Sequence, residues 1–462
     1  MSPFAFQRVA IVNRGEPAMR LINAIREWNA EGRPALRVIA VYTAADRRAT
    51  FVREADESVL IGPDEADAAF AGSPYLDYAE LERALRACRA DAVWPGWGFV
   101  SEKAEFAELC DRLGITFIGP SAEVMRRLGD KIESKLLAEQ AGVPLAPWSG
   151  GPVADLTAAR AAAESIGYPL MVKATAGGGG KGIRIVHNDT DLFGSLRMAQ
   201  QEAAAAFGTP DVYLEKYLEE PRHIEIQILA DEHGQVIHLG ERDCSLQTAR
   251  HQKMLEEAPA AIPANVRNRI GEAAVRAAKA AGYTNAGTFE FLVDQANNFY
   301  FLEANTRLQV EHPITEAITR IDLVKQQILI AAGHKLSLSQ RDVRFEGHAI
   351  ECRITAEDPE RGFSPSAGQI KSVVLPGGPG VRVDTHIYCG YQVPSYYDSL
   401  LAKVIVWAPD RREAIARMSR CLDEMLVEGI RTTLPFHLRV MNNAWFRRGE
   451  VYTNFVRSRM EG

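Results

Sequence analysis

Short apolar runs alternate with amphipathic stretches from the N-terminus to about Gly119. "RVAIVN", beginning at Arg8, reads as a strand. In "EPAMRLINAIREWNAEG" the residues Met19, Ile22, Ile25 and Trp28 recur at helical spacing, and Gly32 supplies the stop. "LRVIAVYT", "SVLIG", "DAVWPG" and "ITFIGP" read as further strands with helices between them, which predicts an open α/β sheet. The turn after the first strand is "VNRGEPA" rather than G-x-G-x-x-G, so no dinucleotide site is expected there. Asp130 opens a helix, "DKIESKLLAEQAG", with Glu133 three residues on and Gly142 closing it. The Pro- and Gly-rich "VPLAPWSGGP" reads as a hinge. From there to Leu218 the pattern predicts a small block of helices and strands around a glycine loop, suited to be a lid. Strand-rich segments follow, then a C-terminal region with the helix "DRREAIARMSRCLDEML".

Bulk properties narrow the class. The chain has 462 residues, 47% hydrophobic and 24% charged, which predicts two or three domains of an ordinary globular protein. No apolar run is long enough to span a membrane, and "MSPFAFQRVAIVN" lacks a secretory pattern. A net charge of −7 argues against a nucleic-acid binder. The six cysteines form no C-x-x-C pair, so neither zinc nor a disulfide framework is expected, and the reducing cytoplasm is the expected compartment.

Two stretches carry candidate chemistry. "MVKATAGGGGKGIRIV" places Gly177, Gly178, Gly179 and Gly180 between Lys173 and Lys181. Backbone N–H groups approach phosphate oxygens only where no side chain intervenes. A P-loop would require Ser or Thr after the second lysine; here Gly182 follows it, so another kind of phosphate loop, or a plain surface turn, is implied. The second stretch is "GTFEFLVDQANNFYFLEANTRLQVEHP". With Gln295–Asn298 as a four-residue loop, Asp294 faces Phe299, Leu292 faces Phe301 and Glu290 faces Glu303. Two glutamates directly opposed repel, and a divalent cation reverses the sign. Asn305 returns to the same face. The alternative is a solvated face, with one glutamate paired to Arg307. In an extended "TRLQVEHP", Arg307, Gln309 and Glu311 share a face and would surround a small anion. Cys244 reads as a packed residue.

Together these motifs resemble the ATP-grasp family and, within it, biotin carboxylase. "NRGE", "GWGFVSE", "GDK", "VKATAGGGGKG", "EKYLEEPRHIEIQ", "ERDCS", "HQK", "EEAPA", "GTFEFL", "EANTRLQVEHPITE", "GHAIECRITAEDP" and "YYDSLLAKV" stand in the family's order. The resemblance implies an N-terminal Rossmann-like domain over 1–120, an ATP-grasp domain over 121–335 with a lid at about 146–218, and a β-rich C-terminal domain over 336–462. It implies ATP, Mg2+ or Mn2+, bicarbonate and biotin as ligands. Lys131, Lys173 and the glycine loop would hold phosphates; Glu215, Lys216 and Leu218 would line the adenine site, with His223 near the ribose. Glu290, Glu303 and Asn305 would bind metal. Lys253, Arg307, Gln309 and Val310 would bind bicarbonate, Glu311 would be its base, and Arg353 would stabilise charge on biotin.

The chain departs from the family at several points. "CSLQTARHQK" is one residue longer and one arginine short of the usual pattern, which touches Gln247, Arg250 and His251. Trp94 replaces a common histidine, implying altered access for biotin. Asn23 and Pro379 stand where arginine and phenylalanine support the familiar homodimer. No biotinylation motif occurs, so a separate biotin carboxyl carrier protein and carboxyltransferase subunits are the expected partners, with acetyl-CoA the expected acceptor and fatty acid biosynthesis the setting. The alternatives are another ATP-grasp ligase, of the carbamoyl-phosphate or carboxyaminoimidazole kind, and a non-catalytic regulatory subunit.

Overall fold

The computed structural model describes residues 4–64, 73–176, 182–248 and 251–460. The N-terminal strands β1 (Arg8–Ile11), β2 (Arg37–Tyr42), β3 (Glu57–Leu60), β4 (Ala92–Trp94) and β5 (Thr116–Phe117) form a parallel sheet in the order β3-β2-β1-β4-β5. Its first crossover is the helix Gly15–Ala30, which buries Leu21, Ile22, Ile25 and Trp28. This is the open α/β sheet that the apolar spacing predicts.

Trp94 does not line a cleft. It is fully buried in the core of this sheet, and its Nε1 donates to Gln327 Oε1 at 3.1 Å. The expectation that it alters access for biotin is therefore corrected; the tryptophan of this segment that lines the adjoining cavity is Trp97. Trp94→Phe would keep the packing and leave Gln327 without its donor. The expected loss is about 1–3 kcal/mol of unfolding free energy, read by urea titration.

The block with the hinge carries β6 (Leu170–Ala174), β7 (Ile183–Val186) and β8 (Val212–Lys216), ordered β7-β6-β8 and antiparallel. The helices Leu156–Ile166 and Asp189–Phe207 cover it, and among the described residues the core between Val153 and Leu214 draws on none outside that span. A segment with a separate core is able to move as a unit. Gly177–Gly180 and Lys181 lie outside the described residues.

A single eight-stranded sheet forms the body. It contains β9 (Arg222–Ala230), β10 (Val236–Gln247), β11 (Lys253–Ala258), β12 (Asn285–Val293), β13 (Phe299–Asn305) and β14 (His348–Thr355). Their order is β13-β12-β9-β10-β11-β14, followed by Leu400–Ala408 and Val381–Thr385, and every pairing is antiparallel. Ile224, Ile226 and Ile228 face one core while His223, Glu225 and Gln227 alternate to the opposite face. Among the described residues no helix is long and apolar enough to cross a membrane.

The hairpin differs from its expected register near the turn and agrees at the site. Val293 pairs with Phe299, Leu292 with Tyr300 and Phe291 with Phe301, one residue away from the expected pairing. Asp294 is the reason. Its backbone and side chain both engage Asn298 (2.9 Å from Asp294 N to Asn298 O, 2.8 Å from Asn298 N to Asp294 Oδ1), so the turn takes in one more residue. A bulge at Leu302 absorbs the extra residue and returns Glu290 to Glu303.

Candidate active site

Strand pairing places Glu303, Glu290, Glu225 and Arg242 in one row across β13, β12, β9 and β10. Glu290, Glu225 and Arg242, charged and buried on one sheet face, share a dense network of partners. Arg242 is fully buried and donates to Glu225 Oε1 (2.5 Å), Gln227 (2.8 Å), Thr288 (3.0 Å) and Thr315 (3.0 Å). Lys253, at the start of β11, donates to Glu225 (2.7 Å), Glu290 (3.0 Å) and Glu311 (2.8 Å). Glu290 also accepts from Asn305 (3.0 Å) and Gln309 (3.0 Å) and lies 2.7 Å from His223 Nε2. Burial alone would lower the Lys253 ammonium, but Glu225, Glu290 and Glu311 raise it well above its ordinary value. Burial would raise the Glu290 carboxyl; Lys253 and His223 hold it far down instead.

Arg307, Gln309 and Glu311 do gather at this site, but not as an extended strand. The chain leaves β13 at Asn305 and turns, and Glu311 caps the helix His312–Thr319 with φ −81° and ψ 9°. Arg307 reaches Gln309 Oε1 (3.0 Å), Asn305 Oδ1 (2.9 Å) and Glu102 (2.8 Å). Glu311 is fully buried between Lys253 and the Arg353 guanidinium of β14 (2.9 Å). Burial opposes its ionisation, yet Lys253, Arg353 and Arg242 hold its carboxyl well below the usual range. Val310 turns its carbonyl to Lys403 Nζ at 3.0 Å.

The residues that the resemblance assigns to the nucleotide meet the block that carries β6 and β8. Glu215 on β8 is gripped by both Lys173 of β6 and Lys135 of the helix Lys131–Gln140. Burial is outweighed by the two lysines, and the Glu215 carboxyl falls to about 2. Lys131, which burial lowers, donates to Ala174 O at 3.3 Å. Lys216 instead ties down the carbonyls of Gly167 (3.2 Å) and Tyr168 (2.9 Å). Leu218 is half-buried just after β8. Gln247 holds His223 Nδ1 at 2.7 Å, so His223 is fixed between Gln247 and Glu290. Arg250 lies outside the described residues, and His251 has φ 61°.

The sequence reading missed Glu225, Arg242, Lys135 and Glu102. The signal for Glu225 was present: a carboxylate at the polar alternation of an otherwise apolar strand has to meet a cation or a metal.

The profile of the biotin carboxylase N-terminal domain matches residues 5–125, and that of the C-terminal domain matches 351–458. Between them, residues 130–339 match the carbamoyl-phosphate synthase L chain ATP-binding domain. Biotin carboxylase 1 of Bacillus subtilis is 50% identical over 452 residues, covering 97% of this chain and 98% of its own. The chain belongs to the biotin carboxylase family. Other biotin carboxylase relatives serve different carboxylases: a pyruvate carboxylase subunit of Methanothermobacter thermautotrophicus is 48% identical, over 98% of this chain and 89% of its own. Among solved structures, the biotin carboxylase domain dimer of Hydrogenobacter thermophilus 2-oxoglutarate carboxylase, in complex with MgADP, ADP and bicarbonate, superposes with a TM-score of 0.91 at 45% identity. That match covers 98% of this chain and 97% of the other. Campylobacter jejuni biotin carboxylase, in a β,γ-ATP complex, gives 0.92 at 46%, covering 98% of both chains.

Proposed function

We propose that this chain uses ATP and bicarbonate to carboxylate biotin carried on a separate protein, with Glu311 as the base and Lys253, Arg307 and Arg353 as the cations around the reacting groups. The observation that supports this most is the placement of Glu311 between Lys253 and Arg353 at 2.8 and 2.9 Å.

Bicarbonate is a weak nucleophile and an anion, and it must approach another anion, the γ-phosphate. Lys253 and Arg307 offset that repulsion and orient it. Lys253 and Arg353 both neutralise Glu311, and a carboxylate so paired is a poor base. A bound bicarbonate competes for these cations. As they turn toward it, Glu311 regains basicity beside the proton it has to remove. Attack on the γ-phosphorus breaks its bond to ADP, which leaves, and gives carboxyphosphate; the breakdown of carboxyphosphate to CO2 and phosphate needs shelter from water, which a closed lid provides. The phosphate takes the ureido proton of biotin, and Arg353 meets the charge on the ureido oxygen as nitrogen captures CO2.

The donor set fits a hard dication. Glu290 and Glu303 oppose each other directly, and Glu303 has no hydrogen bond or ion pair among the described residues. The protein packed around its strand, together with the Glu290 charge, raises its carboxyl, although the side chain itself stays open to solvent. Glu290 and Glu303, joined by the Asn305 carbonyl, would hold Mg2+, which when bound spreads the charge of the transferring phosphoryl group. Glu303→Gln is expected to raise the Mg2+ concentration for half-maximal ATP turnover and leave the KM for bicarbonate unchanged. A Mg2+ titration at saturating ATP reads both. Lys131, Lys173 and Gly177–Gly180 are assigned to the phosphates. Glu215, Lys216, Leu218 and His223 are assigned to the nucleoside side, with Gln247 holding His223. Gln309 and Val310 complete the bicarbonate pocket.

For the second half-reaction we assign a biotin carboxyl carrier protein and carboxyltransferase subunits as partners, with acetyl-CoA as the acceptor and the cytoplasm as the compartment. Pyruvate and 2-oxoglutarate are the competing acceptors, because relatives carry those names. Bicarbonate-dependent ATP turnover stimulated by free biotin, with carboxybiotin counted, tests the reaction itself. Turnover without biotin stimulation would favour another ATP-grasp ligase, and nucleotide binding without turnover would favour a regulatory subunit.

A further inference from the structure

Two buried carboxylates stand behind Arg353, and the chemistry above uses neither. Glu256 on β11 and Glu351 on β14 are direct cross-strand partners, so their side chains share one sheet face. Both are fully buried. Arg353 gives Nε to Glu256 Oε1 at 2.7 Å and a terminal nitrogen to the same oxygen at 2.5 Å. Glu256 Oε2 and both oxygens of Glu351 have no hydrogen-bond partner among the described residues. The cation nearest along this face, Lys403, is already engaged. It donates to Val310 O (3.0 Å) and lies 3.1 Å from Glu16 and 3.7 Å from Asp384. On the other side Ala258, Ala349 and Ile405 join Ile314 and Ile318 of the helix His312–Thr319 in an apolar cluster.

Two ionised carboxylates on directly paired, fully buried positions, with three oxygens unmatched and apolar side chains behind them, are electrostatically untenable. One proton resolves the conflict, because a carboxyl O–H on one residue supplies the donor that the other lacks. We propose that Glu256 and Glu351 share one proton and that this pair fixes the Arg353 guanidinium toward Glu311, making Glu351 a positioning residue for biotin carboxylation. The proposal rests on the role assigned to Arg353 above.

The surrounding charges agree. Burial raises the Glu351 carboxyl well above its ordinary value, and Glu256 and Glu311 reinforce this against Lys403 and Arg353. Burial likewise raises Glu256, with Glu311 adding to it against Arg353 and Lys253. The charged groups acting on the pair are Lys253 from β11, Arg353 from β14, Lys403 from Leu400–Ala408 and Glu311 from the helix start, and Lys403 in turn meets Glu16 of Gly15–Ala30 and Asp384 of Val381–Thr385. With one proton the pair carries a single negative charge against the single positive charge of Arg353. Losing that proton at alkaline pH adds a second charge and draws the guanidinium away from Glu311.

The test compares Glu351→Gln with Glu351→Ala. The amide keeps a donor toward Glu256 and has no proton to lose. Glu351→Gln is expected to retain kcat at neutral pH, to move the alkaline fall in kcat upward, and to leave the KM for ATP unchanged. Glu351→Ala is expected to lose kcat at neutral pH. The wild-type minus Glu351→Gln infrared difference spectrum, taken without substrates at neutral pH, is expected to show a protonated-carboxyl stretch. Absence of that band overturns the shared proton whatever the activity. The band with an unmoved alkaline limb overturns the positioning role. A Glu351→Gln protein that fails to fold, or is as impaired as Glu351→Ala, also counts against the proposal, since the amide should stand in for the acid. If the wild type makes no carboxybiotin while the band is present, the functional assignment fails and the shared proton stands.

Discussion

Glu311→Gln is expected to abolish carboxybiotin formation while nucleotide binding survives. The amide has nearly the same shape, so Lys253 and Arg353 keep a neighbour, but it accepts no proton. General-base catalysis is worth about 10²–10⁴-fold, and the loss in kcat should fall in that range. Glu311 touches neither Lys131 nor the Lys173–Glu215–Lys135 clamp, so ADP affinity measured by calorimetry should change little. Loss of both would move Glu311 out of the role of base and into the scaffold. The pH dependence has a definite sign. Because Lys253 and Arg353 hold the Glu311 carboxyl down until bicarbonate competes for them, its protonation cannot account for a fall in kcat/KM beginning near neutrality. An acid limb there would have to arise from another group, and His223 is the candidate: burial opposes its protonation, but Glu290 raises it.

Arg242→Met should produce the largest loss of stability. Arg242 is fully buried and ties together Glu225 and Gln227 of β9, Thr288 of β12 and Thr315 of the helix His312–Thr319. Methionine fills much of the space and replaces none of the charge. Glu225 would keep only Lys253, with one oxygen left buried and unmatched. Removing one member of a buried pair costs about 3–5 kcal/mol. Chemical unfolding reads that loss, and a drop below about 1 kcal/mol would class the pair with exposed ones. Glu225→Gln combined with Arg242→Met should recover part of the loss, because it removes the stranded charge. A double-mutant cycle isolates the coupling.

What the sequence made legible follows from how far each residue's environment depends on its neighbours in the chain. The parallel N-terminal sheet was readable because its apolar strands are local. Glu290 and Glu303 were readable as partners because strand alternation carries side-chain facing across a turn. The turn length itself was not, since it depends on the Asp294 side chain capturing Asn298, and the bulge at Leu302 offsets the difference before the site is reached. The convergence of Arg307, Gln309 and Glu311 was anticipated from alternation, but it is achieved by a turn into a helix. Glu225 and Arg242 escaped notice because their importance comes from strands that meet only in the folded sheet. Trp94 was misread for a related reason: it is buried in a core cluster that Leu323, Val324 and Ile328 join from far along the chain, beside its hydrogen-bond partner Gln327.

The eight-stranded sheet has a consequence for timing. Glu303 lies on its edge strand and Arg353 on the sixth, with adjacent strands about 4.8 Å apart. The block that carries β6, β7 and β8 has a sheet of its own, so a movement of that block would leave the interval untouched. Under the roles proposed above, whatever departs from the phosphate end would reach the biotin end along a track of constant length, and turnover could wait on the cover without the relay losing its alignment.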